Sequence, residues 1–327
     1  MKDISVNYLG LSLKSPFIAA SSALTIDVAS VKEMEAAGVG AVIVKSLFEE
    51  QINNEAGFVS DVSMEYPEMD DYIHSYIKDN SIREYTNKLK EIKDAVNIPV
   101  IASINCYSLG NWISFAKEIE ATGVDGLEIN IYDMPFTLKR SSEEIEKEYF
   151  EVIDGVVKAI SIPVSVKIGD HFSNIPLFVS KLEAYGAKAV TMFNKFYTPD
   201  IDIEKREIVP SAPFSNEQDY LKGLRWTAIV SSLVRNINIS ASTGIHTPEN
   251  AIKQILSGAS TVQLCSVLYK RGIDVVKEFN DSLSSYLEKN GFDSVDQIRG
   301  ILNYSNVKNP AKFERVQFMK TFGAYKK

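Results

Sequence analysis

The sequence predicts an α/β protein, a single closed (β/α)8 barrel of the TIM class, and three observations carry that prediction. Short apolar, β-branched runs alternate with longer helix-period segments from end to end, the pattern of repeated βα units feeding a parallel sheet. There are eight such runs, starting at residues 16, 41, 99, 126, 163, 188, 237 and 261. The entries into them alternate between two junction types, as expected of units repeated around a ring. Two doubly wound domains are the rival arrangement for eight parallel strands. No G-x-G-x-x-G follows any strand, which weakens that rival.

The strands are read in order as 16–21, 41–45, 99–104, 126–131, 163–168, 188–193, 237–242 and 261–266. Their starts lie 25, 58, 27, 37, 25, 49 and 24 residues apart, so four intervals match one βα unit and three carry insertions. Strands two, four, six and eight follow Gly38-Val39, Gly123-Val124, Gly186-Ala187 and Gly258-Ala259, where glycine suits the left-handed position that stops a helix. Strands three and five follow Asn97-Ile98-Pro99 and Ser161-Ile162-Pro163, with Asn236-Ile237-Asn238 a looser echo before strand seven. The insertions follow strands two, four and six and so fall at the C-terminal rim, where barrel enzymes place their chemistry. The larger two, about 46–79 and 196–219, carry aromatic residues beside turn formers and read as ordered lids. Residues 1–327 are read as one domain, with a helical extension from about residue 273.

The composition narrows the function. A chain of 327 residues with 45% hydrophobic and 24% charged residues can build a large core. Its 35 basic and 43 acidic side chains leave a net charge of −8, which gives no general attraction for nucleic acid or anionic lipid. Two cysteines, Cys106 and Cys265, make no disulfide framework, and no leader or membrane-spanning stretch is signalled. A cytoplasmic protein acting on a small molecule is expected, without nucleic-acid or membrane partners and with a homodimer allowed. His74, His171 and His246 are scattered without ligand spacing and read as surface or loop residues, so no metal site is expected.

Polar residues cluster at the strand ends: Ser21 and Ser22, Lys45 and Ser46, Ser103 and Asn105, Glu128 and Asn130, Lys167, Asn194 and Lys195, Ser242 and Thr243, Ser266. A lysine near a barrel mouth either pairs with a carboxylate, for which Glu128 is at hand, or faces an anionic or electron-rich ligand. Ser242-Thr243-Gly244-Ile245 after strand seven and Cys265-Ser266 after strand eight place small residues where barrels commonly bind phosphate.

These motifs resemble the dihydroorotate dehydrogenase family of FMN-containing barrels, over about residues 7 to 289. The likeness rests on Ser15-Pro16-Phe17-Ile18-Ala19-Ala20-Ser21, Gly40-Ala41-Val42-Ile43-Val44-Lys45-Ser46, Glu128-Ile129-Asn130, Pro163-Val164-Ser165-Val166-Lys167 and Ser242-Thr243-Gly244-Ile245, with Gly258-Ala259 and Gln263-Leu264. It implies FMN held by Ala20, Ser21, Lys45, Ser46, Asn130, Lys167, Asn194, Ser242, Thr243, Gly244, Cys265 and Ser266, with Lys45, Asn130 and Asn194 also meeting substrate. A cation beside the flavin N1/C2 edge would stabilise the charge that appears on reduction. It also implies hydride transfer from a dihydropyrimidine-like substrate and a place in pyrimidine metabolism.

The departures fall on the substrate side. Where the family carries its Cys or Ser base, this chain reads Asn130-Ile131-Tyr132-Asp133-Met134-Pro135, which puts Asp133 in the base position with Tyr132 the fallback. Val62-Ser63-Met64-Glu65-Tyr66-Pro67-Glu68 lacks both asparagines of the family's strand-two insertion, and Pro135 replaces another. Thr243 and Cys265 stand where glycines are usual. An FMN-dependent oxidoreductase therefore leads. A flavin-binding protein without dihydroorotate turnover and a flavin-free isomerase or lyase of phosphorylated metabolites are the alternatives.

Overall fold

The computed structural model describes residues 2–48, 67–105, 109–131, 137–196 and 198–314. An antiparallel pair, β1 (Val6–Tyr8) and β2 (Leu11–Leu13), comes first. Eight parallel strands then form a ring: β3 (Phe17–Ala19), β4 (Ala41–Ile43), β6 (Val100–Asn105), β7 (Gly126–Asn130), β8 (Val164–Ile168), β9 (Ala189–Met192), β12 (Asn238–Ala241) and β13 (Thr261–Leu264). Pairing of β13 with β3 and of β4 with β6 closes it, so every one of the eight strands expected from sequence is present in a closed barrel. The two-residue β5 (Leu47–Phe48) extends along β6 above β4, and β10 (Pro199–Asp202) pairs with β11 (Glu207–Pro210) as a hairpin within the strand-six insertion.

The outer layer comprises α1 (Val28–Ala37), α2 (Pro67–Ala95), α3 (Leu109–Glu120), α4 (Ser142–Ala159), α5 (Ile175–Ala184), α6 (Tyr220–Leu233), α7 (Pro248–Ser257), the short α8 (Ser266–Arg271), α9 (Val275–Asn290) and the single turn α10 (Val295–Ile298). Helix α2 begins at Pro67 and so takes in the second half of the 46–79 stretch; residues 49–66 lie outside the described residues. Helix α9 is the outer helix of unit eight. Phe279 packs edge-on to Phe17 at 5.4 Å, and Asn280 accepts from Ser15 Oγ at 2.7 Å while donating to the Gly38 carbonyl at 2.9 Å. The extension placed at about residue 273 thus belongs to the ring as far as Asn290.

The two junction types have a common physical basis. Gly38, Gly123, Gly186 and Gly258 all take positive φ, between 81° and 120°, and stop their helices there. Three residues before Gly38, Glu35 accepts the N–H of Asn97 at 2.8 Å; three residues before Gly123, Glu120 accepts the N–H and hydroxyl of Ser161, both at 2.6 Å. The last turn of a helix that leads into an even strand therefore holds the next Pro-type junction in place. These bonds hold the Glu120 carboxyl below the usual carboxylate range.

The β1–β2 hairpin closes the N-terminal mouth. Tyr8 is fully buried with its hydroxyl 3.2 Å from Ser165 Oγ, and burial, then the charge of Glu128, raises its phenol far above the ordinary value. Above it the barrel interior carries buried polar groups, among them Ser165, Glu128, Thr191 and Gln263, which bond to one another or to Tyr8, while the C-terminal mouth stays open to chemistry.

Candidate active site

The strand ends surround a cavity of about 410 Å³. Nine of the twelve residues expected to hold a cofactor line it: Ala20, Ser21, Lys167, Asn194, Ser242, Thr243, Gly244, Cys265 and Ser266. Ser46 and Asn130 stand one hydrogen bond behind the wall. Ser46 N–H donates to Ser21 Oγ at 2.9 Å and its hydroxyl lies 2.7 Å from Ser103 Oγ, while Asn130 Oδ1 accepts from Asn194 Nδ2 at 2.9 Å. Lys45 is half-buried and not in the wall. Tyr132 and Asp133 lie outside the described residues, as do Val62 and Pro135.

Lys167 decides what the cavity suits. It lies on β8 in register with Asn130 on β7 and Thr191 on β9, its residue surface is 7% exposed, and it makes no hydrogen bond or ion pair among the described residues. Pairing with Glu128 does not occur. Fully buried Glu128 accepts instead from Thr191 Oγ1 at 2.8 Å and from Gln263 Nε2 at 3.1 Å. The Lys167 ammonium therefore meets the open cavity without an acceptor among the described residues, a place suited to something electron-rich. Gln263 Oε1, from a wall residue, is buried without a partner among the described residues. The donor and acceptor set fits a polar, partly anionic ring system such as FMN. Burial pushes the Cys265 thiol up more than the neighbouring Lys167 charge pulls it down, so it stays neutral at pH 7.

The unit-seven turn is built for N–H donation. Thr243 and Gly244 take φ of 74° and 80°, and neither N–H finds an acceptor among the described residues. Both residues line the cavity, so two unbonded amides of one turn are available there to an anion. Thr243 adopts the glycine-like conformation because its Oγ1 donates to the Phe193 carbonyl at 2.9 Å, which offsets the cost of that φ. A Cβ on Gly244 would lie 2.1 Å from Tyr220 N and 2.7 Å from Asp219 C. The glycine is thus required by the close approach of the α6 start, and any side chain there would strike that backbone.

Sequence reasoning missed part of the wall. Pro213, Phe214 and Ser215 reach it from the strand-six insertion, and Tyr269 reaches it from α8. No local motif marks them, because only the return path of the insertion brings them to the mouth. His246 lies in the loop after the unit-seven turn, as expected, but is only 6% exposed, with Nε2 at 2.9 Å from Ser215 Oγ. His171 is exposed, with its ring stacked on Phe172, and the side chain of His74 lies outside the described residues. Among the described residues no helix is long and apolar enough to cross a membrane.

Fold and cavity together define a (β/α)8 barrel with a polar, lysine-bearing mouth and an anion cradle at units seven and eight. Comparison with known proteins narrows this class. A family model described as dihydroorotate dehydrogenase matches residues 3–287, and the chain belongs to that family of FMN-dependent oxidoreductases. It is 26% identical over 314 residues to the dihydroorotate dehydrogenase B (NAD(+)) catalytic subunit of Thermoplasma volcanium, covering 92% of this chain and 99% of that one. It is 23% identical to the dihydroorotate dehydrogenase A (fumarate) of Lactobacillus delbrueckii, covering 93% and 100%. The NAD-dependent dihydropyrimidine dehydrogenase subunit PreA of Escherichia coli is 23% identical over 333 residues, covering 92% of this chain and 77% of PreA.

Proposed function

We propose that this chain binds FMN in the mouth cavity and oxidises or reduces a CH–CH bond in a small dihydropyrimidine-like ring that lacks the carboxylate of dihydroorotate. The buried, unpartnered Lys167 carries the flavin part of the reading. Bound FMN supplies a two-electron acceptor for hydride. Lys167 then holds positive charge where negative charge develops, Asn194 fixed by Asn130 presents an amide to the ring, and the Thr243 and Gly244 N–H groups take the phosphate.

Asp133, by its place in the sequence after β7, takes the proton from the carbon next to the one that loses hydride. Burial or closure of the neighbouring segment has to raise an ordinary aspartate for that task. The substrate class follows from the replaced amides. Val62 and Pro135 offer no side-chain donors, and each missing bond to a buried polar substrate group costs about 1–3 kcal/mol. Glu65 and Glu68 add negative charge to the same segment and disfavour a carboxylate-bearing ring. Similarity to a dihydropyrimidine dehydrogenase subunit supports a neutral ring.

The test is anaerobic mixing of FMN-loaded protein with dihydrouracil and, separately, with dihydroorotate while flavin absorbance is followed. Bleaching by dihydrouracil, and its loss in Asp133→Asn with FMN retained, is the expected outcome. Rapid bleaching by dihydroorotate alone would overturn the substrate reading.

A further inference from the structure

His246, Ser215 and Ser266 form a chain of polar groups at the phosphate end of the cavity that the hydride chemistry does not use. Ser215 is 3% exposed and held on every side. Its N–H and its hydroxyl both donate to Ser266 Oγ at 3.1 Å, its carbonyl accepts from Lys270 Nζ at 3.0 Å, and its Oγ lies 2.9 Å from His246 Nε2. Next to it Phe214 leans on Tyr269, with ring centroids 5.3 Å apart. The strand-six insertion is therefore bolted to unit eight at one serine.

Counting hydrogens sets the direction of the chain. A serine has one hydroxyl hydrogen, and that of Ser215 is spent on Ser266. The contact with His246 then requires the hydrogen on Nε2, so the imidazole donates and Ser215 Oγ accepts. Ser266 Oγ receives two donors, the N–H and the O–H of Ser215, which fills its acceptor capacity and leaves its own hydroxyl hydrogen free. Ser266 lines the cavity beside Thr243 and Gly244. Burial, and after it the Lys270 ammonium, hold the imidazole below its ordinary range against the opposite pull of the Ser215 backbone and then of Glu217 and Asp219. It is neutral at pH 7, with a single N–H to give.

We propose that His246→Ser215→Ser266 is a donor relay that commits the Ser266 hydroxyl to the cofactor phosphate, making Ser215 and His246 positioning residues for phosphate and coupling the strand-six insertion to cofactor retention. This rests on the cavity being the FMN site. Losing the orientation of one donor to a charged oxygen weakens binding roughly tenfold or more. Riboflavin, which has the same ring and ribityl chain without phosphate, reads out any effect that is merely structural.

The experiment measures dissociation constants of FMN and riboflavin for the full chain freed of flavin, and for Ser215→Ala, His246→Leu and His246→Gln. The relay predicts that Ser215→Ala and His246→Leu lose about tenfold or more in FMN affinity while riboflavin affinity stays within about twofold. His246→Gln keeps an N–H at similar reach and recovers most of the loss. Equal losses for both flavins, or none for either, would overturn the relay. Unmodified protein that binds FMN no better than riboflavin would overturn it while leaving the flavin site standing; unmodified protein that binds neither would remove the flavin site itself and the relay with it.

Discussion

Gly244 separates two costs that usually come together. Replacing it with alanine forces an L side chain into φ of 80°, at about 1–2 kcal/mol, and drives a Cβ to 2.1 Å from Tyr220 N and 2.7 Å from Asp219 C. Both contacts are backbone, so the first turn of α6 or the Ser242–Gly244 turn has to move, adding about 1–3 kcal/mol as overpacking. Gly10 supplies the control. Its φ is 79°, yet a Cβ there meets no heavy atom within 4 Å, so Gly10→Ala bears the conformational cost alone. At about 2 °C per kcal/mol for a chain of this size, Gly10→Ala lowers the melting temperature by about 2–4 °C and Gly244→Ala by about 4–10 °C. Thermal unfolding followed by circular dichroism, without flavin so that ligand linkage adds nothing, is the assay. Gly244→Ala also weakens FMN binding, because the displaced turn carries the Thr243 and Gly244 amides, whereas Gly10→Ala does not. Equal melting temperatures for the two variants would refute the close-approach argument.

Further outcomes follow from the same geometry. Lys167→Met removes a buried charge that no described residue completes, so flavin-free protein melts no lower than the unmodified chain. In the FMN-loaded form the two-electron reduction potential falls by about 50 mV, the loss of roughly 2 kcal/mol of charge stabilisation, as read by dye-coupled titration; an unchanged potential with FMN retained would place Lys167 away from the ring. Thr243→Gly relieves the positive φ but loses the bond to the Phe193 carbonyl, so chemical denaturation shows a net change within about 1 kcal/mol. Asp133→Asn abolishes turnover of the true substrate while FMN stays bound, and rapid kinetics with the variant checks this.

The fold was legible because its signals are local and repeated. The junction glycines, the Pro junctions and the polar strand ends each announce themselves within a few residues, and the eight-unit period multiplies them. The strand-end rule also found most of the cavity wall, since a side chain at the C-terminal end of a barrel strand has few other places to face. What stayed hidden depends on chain paths between units. Ser215 and Phe214 reach the mouth along the return path of the strand-six insertion, and the contact of Ser215 with His246 spans thirty-one residues. Glu35 and Glu120 look like ordinary surface carboxylates in sequence, yet each accepts the amide of a junction more than forty residues on. Helix α9 reads as an extension until Phe279 and Asn280 are seen against Phe17, Ser15 and Gly38.

The measurement that bears most directly on the central claim is a titration of the purified, flavin-free chain with FMN, followed by the change in flavin fluorescence and absorbance. The expected result is saturation at one FMN per chain, with weaker binding when Ser242–Gly244 is displaced by Gly244→Ala. A chain that leaves FMN free at concentrations well above those at which flavoproteins saturate would contradict the assignment of the mouth cavity and of everything built on it.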